Sequence, residues 1–246
     1  MKTGFKETNM KAPSTILGFA VAAALAAASA PALANSGTIT QLSGTLSVQK
    51  PDGSVRILSQ KSQIGSGDTI NTERDSFAQI RFSDGGQITL KPNTSVKIEN
   101  FKFAEDKPQD DSFLFGLVKG GLRAVTGIVG KRNRDKYQLG TATATIGIRG
   151  TTFSADDCVS NRDQDCGRLE PAVYVSTADG EIVLKNGAGE LGLAAGQFAQ
   201  IAQNQRPLFL STDPGLQFTP PATFIQSVMA GSAVNAGKSL ECVVRR

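Results

Sequence analysis

The sequence predicts an all-β protein: a twisted antiparallel β-roll or sandwich, or alternatively a short β-solenoid, with one small helix near the C-terminus. Three observations support that class. Residues 77–101 alternate apolar and polar side chains with the period of two that sends neighbours to opposite faces of a sheet. The alternating runs are divided by Asp-Gly, Asn-Gly and Pro-Asn pairs, which favour chain reversals. The composition, with 26 glycines, 13 phenylalanines, two tyrosines and no tryptophan, suits a turn-rich fold with an aliphatic and phenylalanine core.

The first segment, residues 1–34, reads as a cleavable export signal. Lys2, Lys6 and Lys11 form a positive start, Ile16 to Ala28 is apolar and alanine-rich, and Ala32-Leu33-Ala34 before Asn35 fits the small-x-small rule for signal peptidase. Met10 is an alternative start that leaves the mature chain unchanged. The apolar run is short for a span of about 20 residues, and the residue after the cleavage point is Asn35, so no thiol is offered there for lipid attachment. Cleavage after Ala34 and a periplasmic location are expected.

Residues 35–206 are expected to form one β domain, a length ample for a single unit and small for two. Gly44 to Val48 supplies a leading strand, and Ile64 to Thr72 a glycine-rich turn followed by another. Phe77–Phe82 and Gln87–Lys91 flank Asp84-Gly85-Gly86 as a hairpin. After Pro92-Asn93 the alternation resumes over Val96–Phe101, giving three antiparallel strands. Of the two faces, only Ala78, Ile80, Phe82, Ile88, Leu90, Val96 and Ile98 are apolar throughout, so these are the expected core; a one-residue slip would bury Gln79 and Arg81. Ile146 to Phe153 closes this block.

In order and spacing these segments resemble the FecR domain family, named for a bacterial iron-citrate sensor. The resemblance rests on Gly-x-Leu-x-Val at Gly44 to Val48, Gly-Asp-x-Ile-x-Thr at Gly67 to Thr72, and Phe-Ala-x-Ile-x-Phe-x-Asp-Gly at Phe77 to Gly85. It continues through Ile88, Leu90, Pro92 and Ser95, Gly-Gly-Leu-Arg at Gly120 to Arg123, and Arg-Gly-Thr-x-Phe at Arg149 to Phe153. It covers roughly residues 37–155. The family's sensors, as the resemblance implies, receive a signal from an outer-membrane transporter through a periplasmic domain and control a sigma factor through a cytoplasmic segment. Here no cytoplasmic region precedes the apolar segment, so protein recognition is expected to carry over and direct anti-sigma activity is not.

A second β segment follows. Val173–Ser176, Glu181–Lys185 and Glu190–Leu193 are joined by Asp179-Gly180 and Asn186-Gly187, and Ala195 to Ile201 echoes Ser66 to Ile70, hinting at a repeated strand-turn-strand plan. Residues 207–246 form a Pro-rich passage through Pro214, Pro220 and Pro221, with a helix expected within Ala222 to Ala236.

Cys158 and Cys166 bracket a polar stretch that gains from closure, so a local disulfide is expected, as suits an oxidising compartment. Cys242 is left over. Asp156, Asp157, Asp163, Asp165 and Glu170 gather near that loop, but they lack the register of a calcium loop and read as a solvated surface. No metal and no cofactor is expected, since three dispersed cysteines without histidine cannot supply a zinc set.

Loss of residues 1–34 would lower the formal charge from +4 to +2, too little to direct the chain to nucleic acid. One basic cluster stands out: Lys131, Arg132, Arg134 and Lys136. It is either a solvated loop or a contact for an anionic lipid, glycan or partner protein, and no aromatic residue interleaves to stack bases.

Catalytic constellations are missing. With no histidine, Ser-His-Asp and Cys-His schemes are excluded. The stretch Gly231 to Ser239 has five residues between its glycines where a phosphate loop has four. Glu105-Asp106 and Asp110-Asp111 adjoin a linker at Pro108 and read as solvation. The expected function is therefore that of an exported, non-enzymatic protein that binds another envelope component, in signalling or scaffolding. The alternative is a structural module for cell wall, peptidoglycan or other glycan.

Overall fold

The computed structural model of the chain describes Met1, residues 37–160 and 166–216, Pro220 and Phe224. The rest of the signal segment, Asp163, Asp165, Cys242 and, apart from Phe224, the helix expected over 222–236 lie outside the described residues.

Among the described residues the polar/apolar alternation becomes seventeen strands. They are β1 (Gly37–Ser43), β2 (Leu46–Gln49), β3 (Val55–Leu58), β4 (Gln63–Ile64), β5 (Thr69–Thr72), β6 (Phe77–Phe82), β7 (Gln87–Leu90) and β8 (Ser95–Lys102). A long β9 (Ser112–Val125) leads to a five-residue helix α1 (Ile128–Arg132) and a 3₁₀ turn (Arg134–Lys136). Then follow β10 (Tyr137–Gly140), β11 (Thr145–Ile148), β12 (Thr152–Asp157), β13 (Ala172–Asp179), β14 (Glu181–Asn186), β15 (Gly189–Ala194), β16 (Phe198–Ala202) and β17 (Leu208–Leu210).

These strands form one hydrogen-bonded network that folds into two layers and is not closed into a barrel. The first layer runs β4-β1-β6-β7-β9-β12-β13-β16-β17. The second runs β3-β2-β5-β8-β9-β10-β11-β14-β15. Among the described residues pairing is antiparallel except between β9 and β10, which run parallel and make the sheet mixed. Strand β9 belongs to both layers: Ser112 to Lys119 pairs with β8, and Gly120 to Val125 pairs with β12. The change of layer falls at Gly120, whose φ of +83° is the left-handed backbone that glycine adopts without a Cβ penalty.

The all-β roll expected from the sequence is present, and the chain moves repeatedly from one layer to the other. The three-strand meander is corrected in its third member. β6 and β7 form the expected hairpin, but β8 lies in the second layer between β5 and β9. Asn93, at φ +51°, turns the chain out of the first layer after Pro92. The Thr72 hydroxyl holds that corner by donating to the Lys91 carbonyl at 2.6 Å while accepting from the Thr94 N–H at 2.9 Å. Asp179-Gly180 is a similar corner between layers, whereas Asn186-Gly187 does close a hairpin, β14 to β15.

The predicted core face is buried as a set: Ala78, Ile80, Phe82, Ile88, Leu90, Val96 and Ile98 are each at most 3% exposed. Their strands come from different layers, so these side chains meet from opposite sides of one core. Rings fill the space between: the Phe82 centroid lies 5.0 Å from Phe101 and 4.6 Å from Phe113, and Phe113 lies 5.1 Å from Tyr137. The expected echo of Ser66 to Ile70 in Ala195 to Ile201 is not kept in the layers, since Thr69 and Ile70 belong to β5 of the second layer and Phe198 to Ile201 to β16 of the first. A different likeness holds within one layer: Phe77-Ala78-Gln79-Ile80 in β6 recurs as Phe198-Ala199-Gln200-Ile201 in β16, with the same alternation of burial.

Candidate functional site: a basic clamp and a glycine-floored groove

The turn of the first hairpin positions the basic cluster. The Asp84 carboxylate, 1% exposed, accepts hydrogen bonds from the Gly86 N–H at 3.0 Å and the Val129 N–H at 3.2 Å, while its backbone carbonyl accepts from the Ile128 N–H at 3.0 Å. It therefore holds the first turn of α1. Burial pushes the Asp84 carboxyl above the usual carboxylate range, and the two N–H donors pull in the opposite sense. Gly127 permits the approach, since a Cβ there would run into the Asp84 carboxylate.

The four cations then divide. Arg132 donates from Nε to the fully buried Asp111 at 2.6 Å and from a terminal nitrogen to the Ala104 carbonyl at 2.6 Å, with its guanidinium 5.0 Å from the Phe103 ring centre. Lys136 Nζ donates to the Gln109 carbonyl at 2.9 Å. These two side chains clamp the 103–111 connection between β8 and β9. Lys131 and Arg134 are exposed, and neither makes a side-chain hydrogen bond or ion pair among the described residues.

Arg134 stands on the rim of a groove of about 540 Å³ on the outer side of the second layer. Its floor is a row of cross-strand neighbours, Gln138, Gly147 and Val183, contributed by β10, β11 and β14. A Cβ on Gly147 would find nothing nearer than the Val183 carbonyl at 3.8 Å, so the glycine leaves the trough open rather than relieving a clash. Arg134, Arg149 and Lys185 face Asp135 and Glu190 around the rim. Arg149 is 3.5 Å from Glu181, with both side chains about half exposed, so that pair exchanges readily with solvent or ligand. The groove offers hydrogen bonds and both signs of charge along an extended floor. It presents no pairing of nucleophile and general base.

The disulfide expected from the sequence is formed, with the Cα atoms of Cys158 and Cys166 5.6 Å apart. Two of the acids beside it serve the structure. Asp157 accepts from the N–H groups of Val159 and Ser160 at 2.9 and 3.1 Å, and Asp156 pairs with Lys91. Among the described residues, no group of three or more His, Cys, Asp or Glu side chains is arranged to hold a metal ion.

The groove was not visible in the sequence beyond Arg134. Its lining spans Arg134 to Glu190, and no local pattern marks residues that only sheet registration brings together.

The architecture defines a two-layered β domain that combines a disulfide-closed loop with an open surface groove. The family model described as FecR protein matches residues 68–182, so this part of the chain is a FecR domain. The match begins later than the 37–155 resemblance and runs on into β14. Two crystal structures, at 1.65 and 2.50 Å resolution, of a candidate anti-sigma factor from Parabacteroides distasonis ATCC 8503 are similar at 15% and 16% identity, with TM-scores of 0.43 and 0.44. Each similarity covers 59% of this chain and 60% of the other, so the likeness spans well under two thirds of those proteins. A structure described as a cell surface anchoring domain is 30% identical over 26% of this chain and 83% of its own, with a TM-score of 0.25. No curated protein matches the sequence.

Proposed function

We propose that this chain is an exported, non-enzymatic FecR-domain protein that binds another protein of the cell envelope, in signalling or scaffolding. The observation that carries the reading is the groove over Gly147 and Val183: open, about 540 Å³, and rimmed by charged groups free to exchange partners. Such a trough suits an extended polypeptide, whose backbone and charged side chains match the rim. The FecR domain supports a regulatory role, and the Cys158–Cys166 bridge supports an oxidising compartment. The glycan-binding alternative draws no support from the groove, whose lining contains no aromatic ring on which a sugar could stack.

The test pairs recognition with folding. A Gly147→Leu variant fills the trough without a backbone clash, and Arg134→Glu inverts one rim charge. A defined envelope protein that co-purifies with the wild type should be lost from both variants at unchanged melting temperature. Sedimentation of the wild type with purified peptidoglycan, unaffected by either substitution, would overturn the reading. Mass spectrometry of protein isolated from the envelope should place the mature N-terminus at Asn35.

A further inference from the structure

The two ends of the layered stack are finished differently. At one end, the edges are β3 and the two-residue β4. Leu58 and Ile64 are 3% and 2% exposed there, and Arg56, on the core-facing side of β3 opposite Val48, donates to the Gln63 carbonyl at 3.2 Å. An inward-pointing charge and a very short strand are standard means of blocking further strand addition. Val55 and Ile57 are well exposed on β3, but they project from its outer side, away from that seal.

At the other end the edges are β15 and β17. The Gly189 end of β15 is covered by the Arg206 side chain, and the Asn186 amide holds the adjoining Gln205 carbonyl at 2.7 Å. Among the described residues β17 has no such guard. Among the described residues it pairs only with β16, and its three residues, Leu208, Phe209 and Leu210, carry no charge. Phe209 lies opposite Ala199, which is fully buried, so it sits on the core-facing side of the layer; it is nevertheless 53% exposed, because the layer stops there. Leu208 is 50% exposed. An open edge carrying core-type side chains lacks both backbone partners and apolar cover.

We propose that this edge pairs antiparallel with β17 of a second copy of the chain. The strand is self-complementary. Leu-Phe-Leu reads the same in both directions, so pairing centred on Phe209 sets Leu208 opposite Leu210 of the second copy and Phe209 opposite its equivalent. In that register the nearest charges, Arg206 and Asp213, fall opposite Thr212 and Gln205 of the second copy, and no like charges meet. The two-fold axis runs perpendicular to the sheet, so it brings β15 toward its own copy as well. The partly buried Leu191 and the exposed Phe209 of both copies then join one continued core.

The interface is centred on β17 and does not include the groove floor of Gln138, Gly147 and Val183, so its failure leaves the proposed function standing, and the converse holds. Sedimentation velocity of the purified full chain over about a thousandfold range of concentration should show a monomer–dimer equilibrium. Phe209→Lys should weaken it by about tenfold or more at unchanged melting temperature, because the ring is half exposed in the monomer. Gly147→Leu should leave it unaltered. Hydrogen exchange at the Leu208 to Leu210 amides should slow as concentration rises. A monomer at every concentration, or a dimer indifferent to Phe209→Lys, would overturn the proposal. Amides protected to the same extent at all concentrations would also overturn it, showing that a segment of the same chain covers the edge.

Discussion

The Lys91 ammonium lies 2.6 Å from the Asp156 carboxylate, joining the residue after β7 to β12 across 65 positions of sequence, with both side chains less than a tenth exposed. The lysine also donates to the Leu216 carbonyl at 3.1 Å, which ties the segment after β17 to the outer side of the first layer. Taking two charges from water costs about as much as their attraction returns, but stranding one of them is expensive. Asp156→Ala or Lys91→Ala should therefore each destabilise the domain by about 3 to 5 kcal/mol. The double variant Lys91→Met, Asp156→Leu should cost much less than the sum of the two. Urea unfolding of the three proteins measures the coupling, and simple additivity would count against a buried, mutually dependent pair.

Replacing Phe82 with alanine should cost about 3 to 5 kcal/mol, since the ring contacts Phe101 and Phe113 at the centre of the core. Arg81→Ala, on the exposed side of the same strand, should change stability by less than about 0.5 kcal/mol. Gln79 is an intermediate case, because the Thr40 hydroxyl donates to its side-chain oxygen at 2.9 Å, and its truncation should cost about 1 kcal/mol. Thermal melts should show the largest loss for Phe82→Ala, a smaller one for Gln79→Ala and the least for Arg81→Ala.

Asp84 gives a pH dependence whose sign follows from burial. Its folded carboxyl titrates above its ordinary value of 3.8, with desolvation the leading cause. Between those two values the folded protein binds more protons at this site than the unfolded chain, so its contribution to stability falls as pH rises. Relative to Asp84→Asn, the wild type should lose stability as pH increases upward from about 3.8 and level off once Asp84 is ionised in both states. Denaturant titrations of both proteins across that range give the difference directly. A wild-type advantage that grew with pH would mean that the N–H donors of Gly86 and Val129 outweigh burial.

Tyr137 is fully buried, and its hydroxyl has no hydrogen-bond partner among the described residues. Its ring packs against Phe113 and Phe115 at centroid separations of 5.1 and 5.9 Å. Tyr137→Phe keeps that packing and removes a stranded polar atom, so the variant should be unchanged or more stable by up to about 2 kcal/mol. A melting temperature clearly below that of the wild type would show that the hydroxyl is satisfied in solution.

Strand faces were legible in the sequence because the period of two is a local property: Ala78, Ile80 and Phe82 point inward whatever their strand pairs with. The Asp84-Gly85-Gly86 hairpin was legible for the same reason, as was the Cys158–Cys166 bridge, whose partners lie on one short loop. The layer to which each strand belongs was not. Asp179-Gly180 and Asn186-Gly187 are similar turn signals, yet one is a corner between layers and the other closes a hairpin, since a turn residue permits a reversal without specifying the strand that receives it. Only the assembled sheets decided that Arg132 and Lys136 would hold a loop while Lys131 and Arg134 remained exposed, that Lys91 would meet Asp156, and that Gly147 would floor a groove bounded by residues up to Glu190. Backbone preference and side-chain periodicity act over a few neighbouring residues. Cross-strand register, by contrast, is set by the shared core and joins positions that have no relationship along the chain.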